Sequence, residues 1–175
     1  MKHIMISIKP KWVAKILNGD KTIEIRKSIP KDLPCKVYIY CTKDKNHELV
    51  FHETIQQYEI YPINNTDILN GKVVAEFTLN KITTHKKNYI DIEDNLYYNF
   101  LTKDVIGAGF YSRQDNDNKK LGALCNFHNF VEEYGKGKDL YAWHIDDLEI
   151  YDKPKELSEF GVKRPPQSWC YVEGE

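Results

Sequence analysis

One α+β domain is the fold class the sequence predicts. Segments that alternate apolar and polar residues recur at Ile4–Ile8, Cys35–Cys41, Lys72–Ile82, Leu140–Tyr151 and Ser168–Val172, and period-two alternation is what a strand with one buried face requires. Two stretches have helical spacing instead, one directly after the first strand and one over residues 126–135. At 175 residues, with 41% of them hydrophobic, the chain is long enough to bury one sizeable core.

In the first strand Ile4, Ile6 and Ile8 alternate with Met5, Ser7 and Lys9. Pro10 suits the first turn of a helix, where its missing N–H is not needed. Val13, Ile16 and Leu17 then share a face, Lys11, Lys15 and Asn18 fall elsewhere, and Gly19 sits where a left-handed residue would end the helix. From Lys21 alternation returns: Ile23 and Ile25 take one face of a second strand, Thr22, Glu24 and Arg26 the other. Ser28–Pro34, with two prolines, reads as a surface loop. In Cys35–Cys41 the aliphatic Val37 and Ile39 oppose Tyr38 and Tyr40, which would either stack on a base or close one end of the core.

Thr42–Asn70 is polar, with turn signals at Asn64-Asn65 and Asn70-Gly71 and a short strand or helix expected over Leu49–Ile55. In the next strand Val73, Ala75, Phe77 and Leu79 share a side, leaving Glu76 on the less apolar one, where it reads as solvated. The pattern is weakest over His85–Leu121: a helix from Asp94 to Thr102, then a mobile polar run at Ser112–Lys120. Asn126 would cap the following helix, Phe127, Phe130, Val131 and Tyr134 make its stripe, Gly135 stops it, and His128 lies off the stripe in solvent. Tyr141, Trp143 and Ile145 alternate with Ala142 and His144 in the strand that runs to Tyr151, where Asp152-Lys153-Pro154 should break it. A helical turn at Lys155–Phe160, an extended Arg164-Pro165-Pro166 and a last strand at Ser168–Val172 complete the chain.

No apolar run approaches the length of a membrane helix, and the N-terminus lacks the plan of a signal peptide, so a cytoplasmic protein with no membrane partner is expected. Cys35, Cys41, Cys125 and Cys170 show no C-x-x-C spacing. A zinc site from Cys35, Cys41, His47 and His52 can be drawn, but the spacing fits no familiar pattern and free thiols are the plainer reading; no metal or cofactor is called for. The net charge of −1 conceals an asymmetry: residues 1–36 hold nine lysines and arginines against three acids, a surplus of +6, and the remainder carries −7. Such a split points to an anionic partner on one side of a nearly neutral molecule, and away from bulk non-specific DNA binding.

A nucleotide needs a cation for its phosphate, a flat surface for its base, and donors and acceptors for the base edge. Lys9, Lys21 and Arg26 can supply the first, Tyr40, Trp143 or Trp169 the second, and Ser7, Glu24 and Gln167 the third. Trp143 and Trp169 read equally as core anchors. Glu24 and Arg26 read equally as a salt-bridged pair, which would still fix the arginine in place for a ligand.

Ser7-x-x-Pro10-x-Trp12 followed by Ile16-Leu17-x-Gly19-x-Lys21-x-x-Glu24-x-Arg26 resembles the signature of the ASCH domain (activating signal cointegrator homology), a member of the PUA-like superfamily. The order of later segments agrees: Val37-Tyr38-Ile39-Tyr40, Gly71-Lys72-Val73-Val74-Ala75-Glu76-Phe77, Tyr141-Ala142-Trp143-His144-Ile145 and Gln167-Ser168-Trp169. The resemblance covers roughly residues 4–41, 71–83 and 141–173, leaving about 42–70 and 85–139 as two insertions. It implies a small mixed β-barrel with flanking helices, spanning residues 1–175 as one domain. It also implies a cleft lined by Ser7, Lys9, Lys21, Glu24 and Arg26 that takes RNA or a nucleotide-like ligand. Some members look like hydrolases, either ribonucleases or amidohydrolases that remove an acyl group from a modified cytidine. In the latter the lysine matched here by Lys21 is catalytic, with a threonine three positions on. Glu24 stands in that place, where it would act as a base on water or as the partner of Lys21. Glu76, Glu132 and Glu133 are candidates for a further acid. A pure interaction protein, its contacts carried by the insertions, is the third class.

Overall fold

A computed structural model describes residues 2–64, 69–85 and 134–173. In chain order the elements are β1 (Lys2–Ile8), α1 (Pro10–Leu17), β2 (Ile23–Arg26), β3 (Cys35–Cys41), β4 (His47–His52), β5 (Gln57–Pro62), β6 (Val73–Leu79), β7 (Ile82–His85), β8 (Leu140–His144), β9 (Asp146–Lys155), a 3-10 turn (Leu157–Phe160) and β10 (Trp169–Val172). They form two compact units. One takes in the described residues of 1–19, 31–81 and 145–175, the other those of 20–30 and 82–144.

The first unit is built on a five-stranded sheet in the order β10-β1-β3-β6-β9. β1 and β3 run parallel, with Ile4 opposite Val37 and Ile6 opposite Ile39, and a parallel pair needs a crossover rather than a hairpin. The chain supplies one that includes α1, whose Val13 and Ile16 are fully buried and which packs on β3, β4 and β5. Gly19 ends the helix at φ 78°, donating its N–H to the Ile16 carbonyl. β1 was expected to bury one face, yet Ile4, Met5 and Ile6 are all fully buried. An inner strand next to a parallel neighbour is covered on both sides, and here the second cover is a cluster of Met5, Tyr38, Tyr40, Val73 and Phe160, with Tyr151, Leu157, Val162 and Cys170 packed against it. Each large side chain buried in this way contributes about 1.5–3 kcal/mol.

The hairpin β4–β5 pairs Leu49 with Ile60 and Phe51 with Tyr58. Asn18 fastens α1 to it, its side chain donating to the Tyr58 carbonyl at 2.8 Å and accepting from the Tyr58 N–H at 2.8 Å. β9 continues through Asp152-Lys153-Pro154, where a break was expected; it is an edge strand, and there the N–H that proline lacks has no ladder to serve. The second unit holds the three-stranded sheet β2-β8-β7, antiparallel throughout. The single strand expected over Leu140–Tyr151 is thus two strands in two sheets, β8 and β9, and Asp147 just after the division takes φ 49°.

The expectation of a closed barrel is corrected. Among the described residues no sheet returns to its own first strand, because β10 and β9 are the two edges of the five-stranded sheet. The described secondary structure is mostly strand with one α-helix, in keeping with α+β. No described helix is long and apolar enough to cross a membrane. The helix at Asp94–Thr102, the polar run at Ser112–Lys120, Cys125, Asn126, His128, Glu132 and Glu133 lie outside the described residues. Of the 126–135 helix only Tyr134 and Gly135 lie inside, and left-handed backbone follows at Lys136 (φ 48°) and Gly137 (φ 73°).

Candidate functional site

In the second unit the motif segment folds into a buried ionic centre. Glu24 and Arg26, two apart in β2, share a sheet face with Trp143 and Tyr141, their partners across the ladder to β8. Lys21 precedes the strand, so its side chain is not bound to the pleat and turns back over it. Glu24 Oε2 lies 2.8 Å from Lys21 Nζ, and Glu24 Oε1 lies 3.0 Å from Arg26 Nη2. All three are buried, at 8%, 8% and 7% exposure for Lys21, Glu24 and Arg26. Lys21 Nζ also donates to the Ile23 carbonyl. Two of its three N–H groups are thereby used, and no described residue takes the third. Among the described residues one carboxylate thus lies between two cations in a place largely closed to water, where electrostatic interactions are stronger than at the surface.

Around this centre, Trp143 is fully buried, and His144 and Thr83 meet across β8 and β7, Thr83 Oγ1 to His144 Nε2 at 2.9 Å. Tyr134 donates to the Ile25 carbonyl at 3.4 Å, while Lys27 Nζ lies 4.7 Å from the centre of its ring. Burial lifts the Tyr134 phenol above its ordinary range; the Arg26 charge works against the shift and the Glu24 charge with it.

The remaining residues singled out from the sequence belong to the first unit. Ser7 donates its hydroxyl to the Pro166 carbonyl at 2.7 Å and its N–H to the Ser168 carbonyl at 2.9 Å. Gln167, between those two carbonyls in the chain, is exposed, as is Lys9 at the start of α1. Trp169 is half-buried and meets Tyr171 edge-on, ring centres 5.5 Å apart at 87°. Tyr40 is 3% exposed and sits in the apolar cluster with Met5 and Phe160. The nine candidates thus fall into two groups: Lys21, Glu24, Arg26 and Trp143 in one unit, Ser7, Lys9, Tyr40, Gln167 and Trp169 in the other.

Sequence reading missed the setting of Glu76, which is not merely solvated. It accepts from Lys36 Nζ and from the Tyr151 hydroxyl. Burial works to raise its carboxyl most strongly, but the hydrogen bonds from Lys36 and Tyr151 and the charges of Lys36 and Lys155 together win and hold it below the ordinary range. Burial, and then the bond to Glu76, raise the Tyr151 phenol. Only the pairing of β3, β6 and β9 brings these three together, which no local pattern could signal. The drawn zinc set takes another form: Cys35 Sγ contacts the Asp32 carbonyl at 2.8 Å and Cys41 Sγ contacts Asn70 Oδ1 at 3.7 Å.

No family model matches the sequence, and neither does any curated protein. Solved structures do match. The crystal structure of ASCH from Zymomonas mobilis is 18% identical, with a TM-score of 0.55 over 98% of this chain and 88% of that one. Two mutants of that protein, one Tyr-to-Phe and one Ser-to-Ala, are each 17% identical, with TM-scores of 0.55 and 0.56 over 99% and 98% of this chain and 91% and 89% of theirs. The chain therefore has an ASCH-like fold, as the motif order from Ser7 to Trp169 led one to expect.

Proposed function

We propose that this chain binds RNA or a nucleotide-like ligand and that the Lys21–Glu24–Arg26 centre holds one of its phosphates. The observation that carries the reading is the arrangement of one carboxylate between two buried cations. Glu24 orients both, and Lys21 has an N–H to offer. An arginine already fixed by a carboxylate loses little freedom when a phosphate arrives. The ASCH-like fold, with the ligands that the resemblance implies, supports the same reading. The alternative is a hydrolase using Glu24 as base on water, since one cation contact on each carboxylate oxygen still leaves a lone pair for a proton.

The test is calorimetric binding of uridine and cytidine monophosphates to the full chain, beside Lys21→Ala and Arg26→Ala. Each variant should bind at least about tenfold more weakly, the loss of one charged hydrogen bond to phosphate. Unchanged affinity in both would show that the centre holds no phosphate. Turnover of acylated cytidine or labelled RNA by the parent, lost in Lys21→Ala, would replace the binding reading with the hydrolase.

A further inference from the structure

We infer that the first unit carries a second, separate surface for nucleic acid: a basic corner formed where the chain leaves β1 and where it enters β10, fitted to the phosphate backbone of single-stranded RNA. The inference rests on the RNA reading above and extends it from one phosphate to a length of strand.

β1 and β10 are antiparallel, with His3 opposite Val172 and Ile6 opposite Trp169. The two Ser7 bonds, to the Ser168 and Pro166 carbonyls, carry that ladder past the end of β10. The stretch Ile8–Lys11 and the stretch Lys163–Gln167 are thereby held at the same end of the sheet. Lys9 is two residues beyond Ser7, and Arg164 two residues before Pro166. Two residues reach at most about 7 Å, so the charges of both stretches gather around the Ser7 junction.

Those charges are all of one sign. Residues 7–15 contain Lys9, Lys11 and Lys15 and no acid, and residues 161–168 contain Lys163 and Arg164 and no acid. Lys9, Lys11, Lys163 and Arg164 are exposed, and none is in an ion pair among the described residues. Three other cations of the same unit are matched: Lys2 with Asp32, Lys36 with Glu76, Lys72 with Glu156. The first turn of α1 holds no acid and its cap position makes no side-chain hydrogen bond, so the positive end of the helix adds to the field.

A corner of this kind would also attract an acidic peptide, and its aromatic residues decide between the two. Trp12 and Trp169 are half-buried, Lys11 Nζ lies 4.8 Å from the Trp12 ring centre, and the Gln167 amide is exposed. Flat rings and a free amide among unpaired cations suit a single strand, whose bases stack while its phosphates follow the cations.

The experiment uses the full chain, a labelled uridine octanucleotide, uridine monophosphate and polyglutamate of matched charge, from 50 to 200 mM salt. Both changes in Lys163→Ala/Arg164→Ala lie in exposed positions outside the regular elements. With two fewer cations to neutralise phosphates, the double variant should show a log–log salt slope for the octanucleotide shallower by about 1.4, so that the parent's advantage shrinks about sevenfold across that salt range. Mononucleotide affinity should stay as in the parent. An octanucleotide slope unchanged in the double variant overturns the corner and leaves the Lys21 centre standing. Mononucleotide affinity indifferent to Lys21→Ala overturns the centre and leaves the corner. Polyglutamate bound as tightly as the octanucleotide would make the partner an acidic protein, and failure of the parent to bind any RNA would overturn both readings.

Discussion

Replacing Glu24 by glutamine keeps the size of the side chain and removes the negative charge that contacts both Lys21 and Arg26. Those cations are 8% and 7% exposed and contact opposite oxygens of the carboxylate at 2.8 and 3.0 Å, which sets them roughly 6 Å apart. At that separation, and at an effective dielectric constant of about 20, two like charges repel by about 3 kcal/mol. Removing one member of a buried ionic group costs about 3–5 kcal/mol on general experience, so the two routes agree. Lys21→Met behaves differently, because Glu24 and Arg26 remain as a neutral pair and the methionine fills most of the space. Its cost should be about 1 kcal/mol. The double variant, which removes the like charge of Lys21 as well as the carboxylate, should be more stable than Glu24→Gln by about 2 kcal/mol. Urea unfolding followed by tryptophan fluorescence measures all three, with Trp143 placed opposite Glu24 in the ladder as reporter. Amide exchange along β2 and β8 detects loss confined to the second unit. If Glu24→Gln cost less than about 1 kcal/mol and Lys21→Met gave it no relief, the idea of a carboxylate holding two buried cations in check would be wrong.

The Lys36–Glu76–Tyr151 cluster should give the stability profile two limbs. The Glu76 carboxyl is held below its ordinary 4.5, so its contribution is present above that pH and is lost as pH falls through the lower, folded value. The Tyr151 phenol is raised above 10 and the Lys36 ammonium above 10.5, so theirs is present below those values and fades as pH climbs past them. Thermal midpoints from pH 3 to 11 should show both limbs in the parent, with Tyr151→Phe flattening the alkaline one and Glu76→Gln the acid one; parent-like limbs in both variants would refute the assignment. Burial pushes the Cys41 thiol up to about 12, and mass-spectrometric mapping of alkylation at pH 8 should find it unmodified in the native chain and modified in urea; prompt native labelling would contradict its burial. Asn70→Ala should cost about 1–3 kcal/mol, because the buried Asn70 side chain accepts from the Leu49 N–H at 3.0 Å and donates to the His47 carbonyl at 2.8 Å; urea unfolding indistinguishable from the parent would show that β4 does not depend on it.

What could be read from the sequence was whatever short spacing encodes. The strand at Ile4–Ile8, the helix between Pro10 and Gly19 and the tyrosines set against the aliphatics in Cys35–Cys41 all follow from periods of 2 and 3.6, and all are present. β5 was missed although Tyr58 and Ile60 alternate with Gln57 and Glu59, because the run is short and the turn before it has no glycine; Gln56 takes the left-handed conformation there instead, at φ 53°. Pro154 was misread as a break because the rule against proline in strands concerns inner strands, and a sequence does not say which strands are edges.

The ionic centre shows where such reading stops. Lys21-x-x-Glu24-x-Arg26 can be recognised because its members are at most five residues apart along a single strand and its approach: two positions apart share a face, and a lysine just outside the strand can turn back over it. The Lys36–Glu76–Tyr151 cluster obeys the same electrostatics, with a carboxylate between a cation and a hydroxyl, but its members are 40 and 75 residues apart and meet only through the pairing of three strands. The corner at Ser7 lies between these cases. Its two stretches are more than 150 residues apart and each is only mildly basic, so neither stands out alone. Two hydrogen bonds from one serine bring them to the same end of the sheet, which is why a charge surplus that the sequence located only in residues 1–36 acquires Lys163 and Arg164 from the other end of the chain.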